Sequence, residues 1–375
     1  MALLFYGLLL QMDTPTKKTA FIALILVSGL LGLGFVRALK GGSLFPNLFA
    51  TISGVPAAAT TTSPIAMPQE VRAIYITAST AGSKKRVEEL ITFVHKSGMN
   101  AIVVNIKDGD GVYLGSGMKE FVERLKKENI YSIARMVVFQ DNYFAKLHPE
   151  FALKTASSTL WIGKGYAWID PSVRKVWEYN AEIALRALND GFSEINLDYV
   201  RFPADGNLND IVYPAYDGNT KKQKIIADFS AYMKSRIKER YPERALSLDV
   251  FAYSLLTDGD VGIGQRFADL IDSYDAIAPM VYPSHFSPGN FEFENPAEEP
   301  YEVVLATLQN GIFAMNEQGK HTIIRPWLQD FNMGAVYNRE KIQAEIRAVR
   351  DAGLTTGWMM WNPSNRYDIS KYETK

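Results

Sequence analysis

Asp198 lies in the run INLDYVRFP, from Ile195 to Pro203, where a carboxylate stands among apolar and β-branched residues with Arg201 just beyond it. Taking a lone carboxylate out of water costs on the order of several kcal/mol unless it is paired or hydrogen-bonded. A second acid, Asp249, has the same setting in ALSLDVFA at 245–252. Side chains alternate along a strand, so Asn196 shares a face with Asp198, and Ser247 shares one with Asp249. Neighbouring strands run about 5 Å apart, which would bring two acids at similar height close enough to perturb each other. One would stay ionised and the other would keep its proton, as glycoside hydrolysis requires. The anion attacks or stabilises the anomeric carbon, and the acid protonates the leaving oxygen. Arg201, or Arg135 in YSIARMVV, would hold the anion ionised.

These residues need elements to position them. From Val71 onward, β-branched runs alternate with amphipathic ones. The runs predict strands at 71–78, 100–107, 131–138, 194–200, 245–252, 274–282, 322–329 and 357–361. Apolar residues at three- and four-residue spacing predict helices near 83–97, 118–129, 171–190, 220–240, 264–272, 298–318 and 338–352. This alternation predicts an α/β fold, a (β/α)8 barrel. A doubly wound sheet would show a glycine-rich turn after its first strand, and TASTAGSKK lacks that spacing. Links from helix to strand are short, whereas those at 139–170, 203–219 and 283–297 are long and all follow strands. Barrel sites are built from the loops on that rim.

Other candidates fall on the same rim: Tyr282 and His285 after the sixth strand, Arg325, Trp327 and Gln329 on one face of the seventh, Trp361 and Asn362 at the eighth, and Trp168 in the long third loop. Aromatic faces stack on sugar C–H surfaces while amides and charged groups take the hydroxyls, so the mixture suits a carbohydrate cleft. Asp170, just before Pro171, reads as a helix N-cap. The turn DGDG at 108–111 is too short for a calcium loop.

The segments YAWIDPSVRKV, GFSEINLDYVRFP, MVYPSHF, IIRPWLQDF and GWMMWNPSNRY resemble a bacterial family of glycosyl-hydrolase-like TIM-barrel domains of unknown function, distantly allied to the alpha-amylase-type enzymes. The likeness spans nearly all of 71–370. In the alpha-amylase layout an Asp ending the fourth strand is the nucleophile, a Glu ending the fifth is the proton donor, and an Asp after the seventh is stabilising. The resemblance therefore implies those roles for Asp198, Asp249 and Asp330. Here the fifth-strand residue is Asp in place of Glu, and Asn196 stands where amylases carry an Arg. A carbohydrate-binding barrel without hydrolysis is the alternative, favoured by that missing Glu.

Composition narrows the classes. Forty basic residues against forty-one acidic ones, with no basic stripe, argue against nucleic acid as a partner. Without cysteine there is no thiol nucleophile and no Cys-ligated zinc. The four histidines form no HxH or HxxxH set, so a metal-dependent amidohydrolase is disfavoured, and neither metal nor cofactor is expected. Glycine-rich phosphate turns are missing as well.

The first seventy residues have another character. The run TAFIALILVSGLLGLGFV at 19–36 is uncharged for about eighteen residues, near the lower limit for a membrane-spanning helix. Residues 1–40 are read as a membrane anchor or signal segment, 41–69 as a Thr/Ala/Pro-rich stalk, and 70–375 as the catalytic domain. Lys17 and Lys18 before the run would place the barrel outside the cytoplasm, on a single-pass anchor, or secreted if cleaved near PAAA at 56–59.

Overall fold

A computed structural model of the chain describes residues 64–372. The anchor, most of the stalk and residues 373–375 lie outside the described residues. No helix among the described residues is long and apolar enough to cross a membrane.

Eight strands form the core: β1 (Val71–Ile76), β2 (Ala101–Asp108), β3 (Tyr131–Val137), β4 (Glu194–Asp198), β5 (Ala245–Phe251), β6 (Ala276–Met280), β7 (Ile323–Ile324, resumed at Trp327–Gln329) and β8 (Gly357–Trp361). Each pairs in parallel with its sequence neighbours, and β8 pairs back onto β1 from Gly357 opposite Val71 to Met360 opposite Ile74, which closes the ring. Closure at that seam depends on Gly357. Its φ is +93°, and a Cβ there would lie 2.0 Å from the Val71 carbonyl oxygen, so only glycine fits. The gap in β7 falls at Arg325–Pro326, where proline has no N–H for the ladder.

The connecting helices are α1 (Lys84–Lys96), α2 (Ser116–Lys127), α3 (Arg174–Asn189), α4 (Lys222–Arg240), α5 (Phe267–Leu270), α6 (Pro300–Glu317) and α7 (Arg339–Asp351). Their buried stripes, such as Val87, Leu90, Ile91 and Val94 of α1, pack on outward strand residues such as Ile195 and Leu197. The sequence expectation of a closed (β/α)8 ring with seven helices therefore holds. After β8 there is one short 3-10 turn, Ile369–Lys371, in place of an eighth helix.

Inside the ring, inward side chains form a second cluster that includes Ala73, Tyr75, Val103, Ile133, Ala278, Tyr282, Trp327 and Met359. Small residues such as Ala73 and Ala278 leave space that the polar inward groups of β2 to β5 occupy.

Candidate active site

The polar interior is arranged in two tiers. At the lower one, Glu194 opens β4 with no exposed side-chain surface. It pairs with Arg325 of β7 and accepts hydrogen bonds from the Ser247 hydroxyl at 2.6 Å and the Tyr131 phenol at 3.0 Å. Arg325, predicted as a substrate ligand, is thus spent on a buried ion pair below the rim, because its strand position faces Glu194 across the barrel.

The upper tier holds the two aspartates. Arg135 of β3 projects between them: one end of its guanidinium pairs with Asp198, and Nε lies 3.7 Å from Asp249 Oδ2. The other terminal nitrogen donates to Asn105 of β2. Asp198 also accepts from the Tyr199 amide at 2.6 Å. Asp249 Oδ1 accepts from Asn196 Nδ2 at 2.8 Å and from Trp327 Nε1 at 2.7 Å. The side chain of Asp198 is 6% exposed and that of Asp249 is 1% exposed, so what access there is comes through Asp198.

This setting separates the two acids chemically. Burial, and then the neighbouring negative charge of Asp198, push the Asp249 carboxyl up to about 8; Arg135, Asn196 and Trp327 pull the other way and do not prevail. At neutral pH Asp249 keeps a proton, while Asp198 faces the Arg135 guanidinium. Burial works against the Arg135 charge, but Asp198, Tyr75 and Asp249 outweigh it and hold the group above its ordinary range.

Three phenols surround the pair. Tyr75 stacks on Trp361 with ring centroids 4.0 Å apart, and Arg135 lies 5.1 Å from the Trp361 ring. Tyr282 is raised well above the ordinary tyrosine range by burial and then by Asp249 and Asp198; burial and Asp198 also raise Tyr199. All three remain neutral donors. Tyr199 has φ of +55°, a left-handed conformation that a non-glycine residue adopts at a cost of about 1–3 kcal/mol. The strand ends at Asp198, and the left-handed turn leaves the Tyr199 ring half-buried beside Trp168 and Arg201.

The remaining candidates divide sharply. Trp361 is half-buried, with Tyr75 stacked on its ring and the Arg135 guanidinium over it. His285 is exposed, with Nδ1 3.1 Å from the Ser284 hydroxyl and its ring against Tyr282 and Phe331. Partial enclosure by these neighbours, and then the charge of Lys164, lower its proton affinity below that of an ordinary histidine. Trp327 is 1% exposed and positions Asp249. Trp168 is 2% exposed and lies under Arg201.

Gln329 is committed to the loop after β6: its Oε1 accepts from the Ser284 hydroxyl at 2.9 Å, and Nε2 donates to the Phe331 carbonyl at 2.9 Å. Asn362 is committed to its own turn through the Asp330 carbonyl, the Arg366 carbonyl and Ser364. Asp170 does not cap α3, whose N-cap is Val173, but its Oδ1 accepts from the Ser172 amide at 2.8 Å in the turn leading into that helix, and its Oδ2 ties the loop after β4 by accepting from the amides of Ala215 and Tyr216 at 2.8 and 2.9 Å.

Asp330 is not brought to the pair. Its two oxygens accept from Lys371 Nζ and from the Tyr372 hydroxyl, each at 2.7 Å, so it fastens the C-terminal segment. Asp330→Asn is expected to lower stability by about 1–3 kcal/mol with kcat unchanged, as thermal melting and steady-state kinetics would show. Beside β3, Lys107 pairs with Asp141 at 2.8 Å, both fully buried, and anchors the start of the long third loop. Among the described residues no group of three or more His, Asp or Glu side chains could hold a metal ion.

Tyr75 and Asn105 escaped sequence reasoning. Asn105 carried a readable signal, a polar residue inside the apolar run AIVVNIK, which is the same anomaly that singled out Asp198.

Comparisons with known proteins agree with the barrel. An alpha-galactosidase from Thermus thermophilus in complex with stachyose aligns at 12% identity and a TM-score of 0.54, over 82% of this chain and 65% of that one. Alpha-L-fucosidase isoenzyme 2 from Paenibacillus thiaminolyticus aligns at 11% identity and a TM-score of 0.56, over 81% of this chain and 48% of that one. The chain thus spans about half to two thirds of these two glycosidases, and at such identities the likeness is one of fold. A hypothetical protein from Ruminiclostridium thermocellum is 30% identical, with a TM-score of 0.42, over 47% of this chain and 97% of that one. No curated protein sequence matches. The model of one family, described as "putative glycosyl hydrolase domain", matches residues 73–367, which take in nearly the whole ring and both aspartates, and the chain belongs to that family.

Proposed function

We propose that the protein hydrolyses glycosidic bonds of a cell-surface or environmental polysaccharide, with Asp198 as the anion that attacks or stabilises the anomeric carbon and Asp249 as the acid. One observation carries this reading. Two carboxylates on adjacent strands share one guanidinium, and the surroundings of Asp249 hold it protonated while Asp198 pairs with Arg135. Trp361 would stack on a sugar ring, and Tyr282, Tyr199 and His285 would donate to or accept from its hydroxyls.

The acid role has a pH signature. Because Asp249 titrates at about 8, kcat/KM should fall as pH rises through that value, and the limb should vanish in Asp249→Asn together with most of the activity. Stability follows the same proton. The folded state binds it more tightly than the unfolded chain, so this contribution is complete below the ordinary carboxylate range and is lost as pH rises through about 8. Melting temperatures against pH should show that decline in the wild type and a flatter profile in Asp249→Asn.

A second reading is favoured by one specific observation. Asp249 is 1% exposed, and its Oδ1 is taken by Asn196 and Trp327, whereas proton transfer needs hydrogen-bond reach to the leaving oxygen. This suits a barrel that binds carbohydrate without cleaving it. Aryl glycosides and polysaccharides assayed for cleavage and binding in parallel separate the two: release of reducing ends that Asp198→Asn abolishes supports hydrolysis, and retention without cleavage supports the second reading.

For the N-terminus we propose a single-pass anchor at 19–36, followed by a stalk over 41–69 and a catalytic domain from residue 70, with the barrel outside the cytoplasm. The uncharged run behind Lys17 and Lys18 supports this. Full-length protein should remain in the membrane pellet after alkaline extraction and lose its barrel to protease added to intact spheroplasts. Recovery in the soluble cytoplasmic fraction would refute the proposal.

A further inference from the structure

Arg201 is the charged group that the carboxylate pair does not use. The residue is 4% exposed, and the acids whose charge reaches it are already engaged, Asp198 with Arg135 and Asp205 with Lys164 at 2.8 Å. Among the described residues no carboxylate comes within ion-pair distance of Arg201.

What surrounds the guanidinium is aromatic surface. The rings of Trp168, Tyr199 and Phe251 lie 4.9, 4.8 and 4.8 Å from its central carbon. Of its five N–H donors, one goes to the Phe202 carbonyl at 3.1 Å, which leaves part of the fork without an acceptor among the described residues. A buried cation that lacks a counter-anion is unfavourable, and the three π-faces offset that only in part. Burial accordingly lowers its hold on the proton.

The location matters as much as the vacancy. Arg201 follows Asp198 by three residues in the loop after β4, and Tyr199 and Phe251, half-buried, border it at the rim. A second cation, Lys164, comes from the third loop close enough for its charge to act on His285. Resting on the carbohydrate reading of this cleft, we propose that Arg201 is an anion subsite and that the saccharide it receives is acidic, with a sugar carboxylate accepting two parallel hydrogen bonds from the guanidinium. The planar fork matches a carboxylate better than a lysine ammonium would. A sulfate ester offers the same kind of anion, so the test includes it.

The experiment measures binding of oligogalacturonate, oligoglucuronate, their carboxyl-reduced neutral counterparts and a sulfated oligosaccharide to full-length wild type, Asp198→Asn, Arg201→Gln and Arg201→Lys. Wild type and Asp198→Asn should prefer a charged saccharide to its neutral counterpart by about tenfold or more. Arg201→Gln should abolish that preference, and Arg201→Lys should restore only part of it. Whether the preference follows uronates or sulfate esters identifies the anion.

Because Arg201 is buried, a second readout uses the wild type alone. Galacturonate or glucuronate should raise its melting temperature, and galactose or glucose at equal concentration should not. Equal binding of charged and neutral saccharides, or a preference that survives Arg201→Gln, overturns the subsite. Cleavage of neutral glycosides in those same samples would leave the hydrolase reading standing. Conversely, an Arg201-dependent preference without any cleavage would keep the subsite and shift the protein to the sugar-binding reading.

Discussion

Replacing Asp198 by Asn is expected to reduce turnover by roughly 10³-fold or more, because under the proposed mechanism it removes the charge that would face the anomeric carbon. Its effect on folding should be smaller than burial alone suggests. Breaking a buried ion pair by removing one partner ordinarily costs about 3–5 kcal/mol, since the other charge stays behind uncompensated. Here the abandoned Arg135 still has Asp249 Oδ2 within 3.7 Å. Without the repulsion of Asp198, Asp249 loses one of the two causes that hold its proton, so its midpoint moves down and it offers Arg135 a counter-ion more readily. The variant should therefore fold, melt somewhat below the wild type and show its alkaline limb shifted below about 8. Denaturant unfolding and single-turnover assays on one preparation check both halves. A variant with wild-type turnover would remove Asp198 from the mechanism.

Arg325→Met should do the reverse, with a large loss of stability and little change in the chemistry of any molecules that fold. Glu194 would be left charged, fully buried and opposite a thioether, at a cost of about 3–5 kcal/mol. Arg325 Nε and Nη1 find no partner among the described residues, so the pair is an imperfect one. Replacing both partners, Glu194→Leu with Arg325→Met, should recover most of the loss. Chemical denaturation of the single and double variants gives the coupling, and KM for a substrate of the wild type should stay within a few-fold. A rise in KM with stability unchanged would return Arg325 to the role that its strand position predicts.

The ring was legible because its signals were local and repeated. GWMMW marks β8 at its observed bounds, and each helix lies within a few residues of its apolar stripe. Asp198 and Asp249 were legible for the opposite reason: each breaks a pattern that burial makes expensive to break. Arg135 could be read as inward-facing and paired, although nothing in the sequence said that one guanidinium would serve both acids.

What stayed hidden depends on contacts between distant residues. Asp330 ends β7 as a catalytic acid might, yet its oxygens go to Lys371 and Tyr372, about forty residues onward. Gln329 and Asn362 are likewise taken by loops whose paths no periodicity records. The position of Tyr199 could not be read from alternation, which assumes an extended chain, and a single left-handed residue ends that assumption. Pro326 breaks β7, and with hindsight its missing N–H is the readable warning.

Selective ¹³Cγ labelling of aspartate, followed by NMR titration, addresses the split between the two carboxyls most directly. In the wild type the Asp249 signal, assigned by its loss in Asp249→Asn, should titrate with a midpoint at about 8, and in Asp198→Asn that midpoint should move down toward the ordinary carboxylate range. A wild-type midpoint already at about 4 would mean that Asp249 carries no proton at neutral pH, and the acid half of the proposed pair would be contradicted.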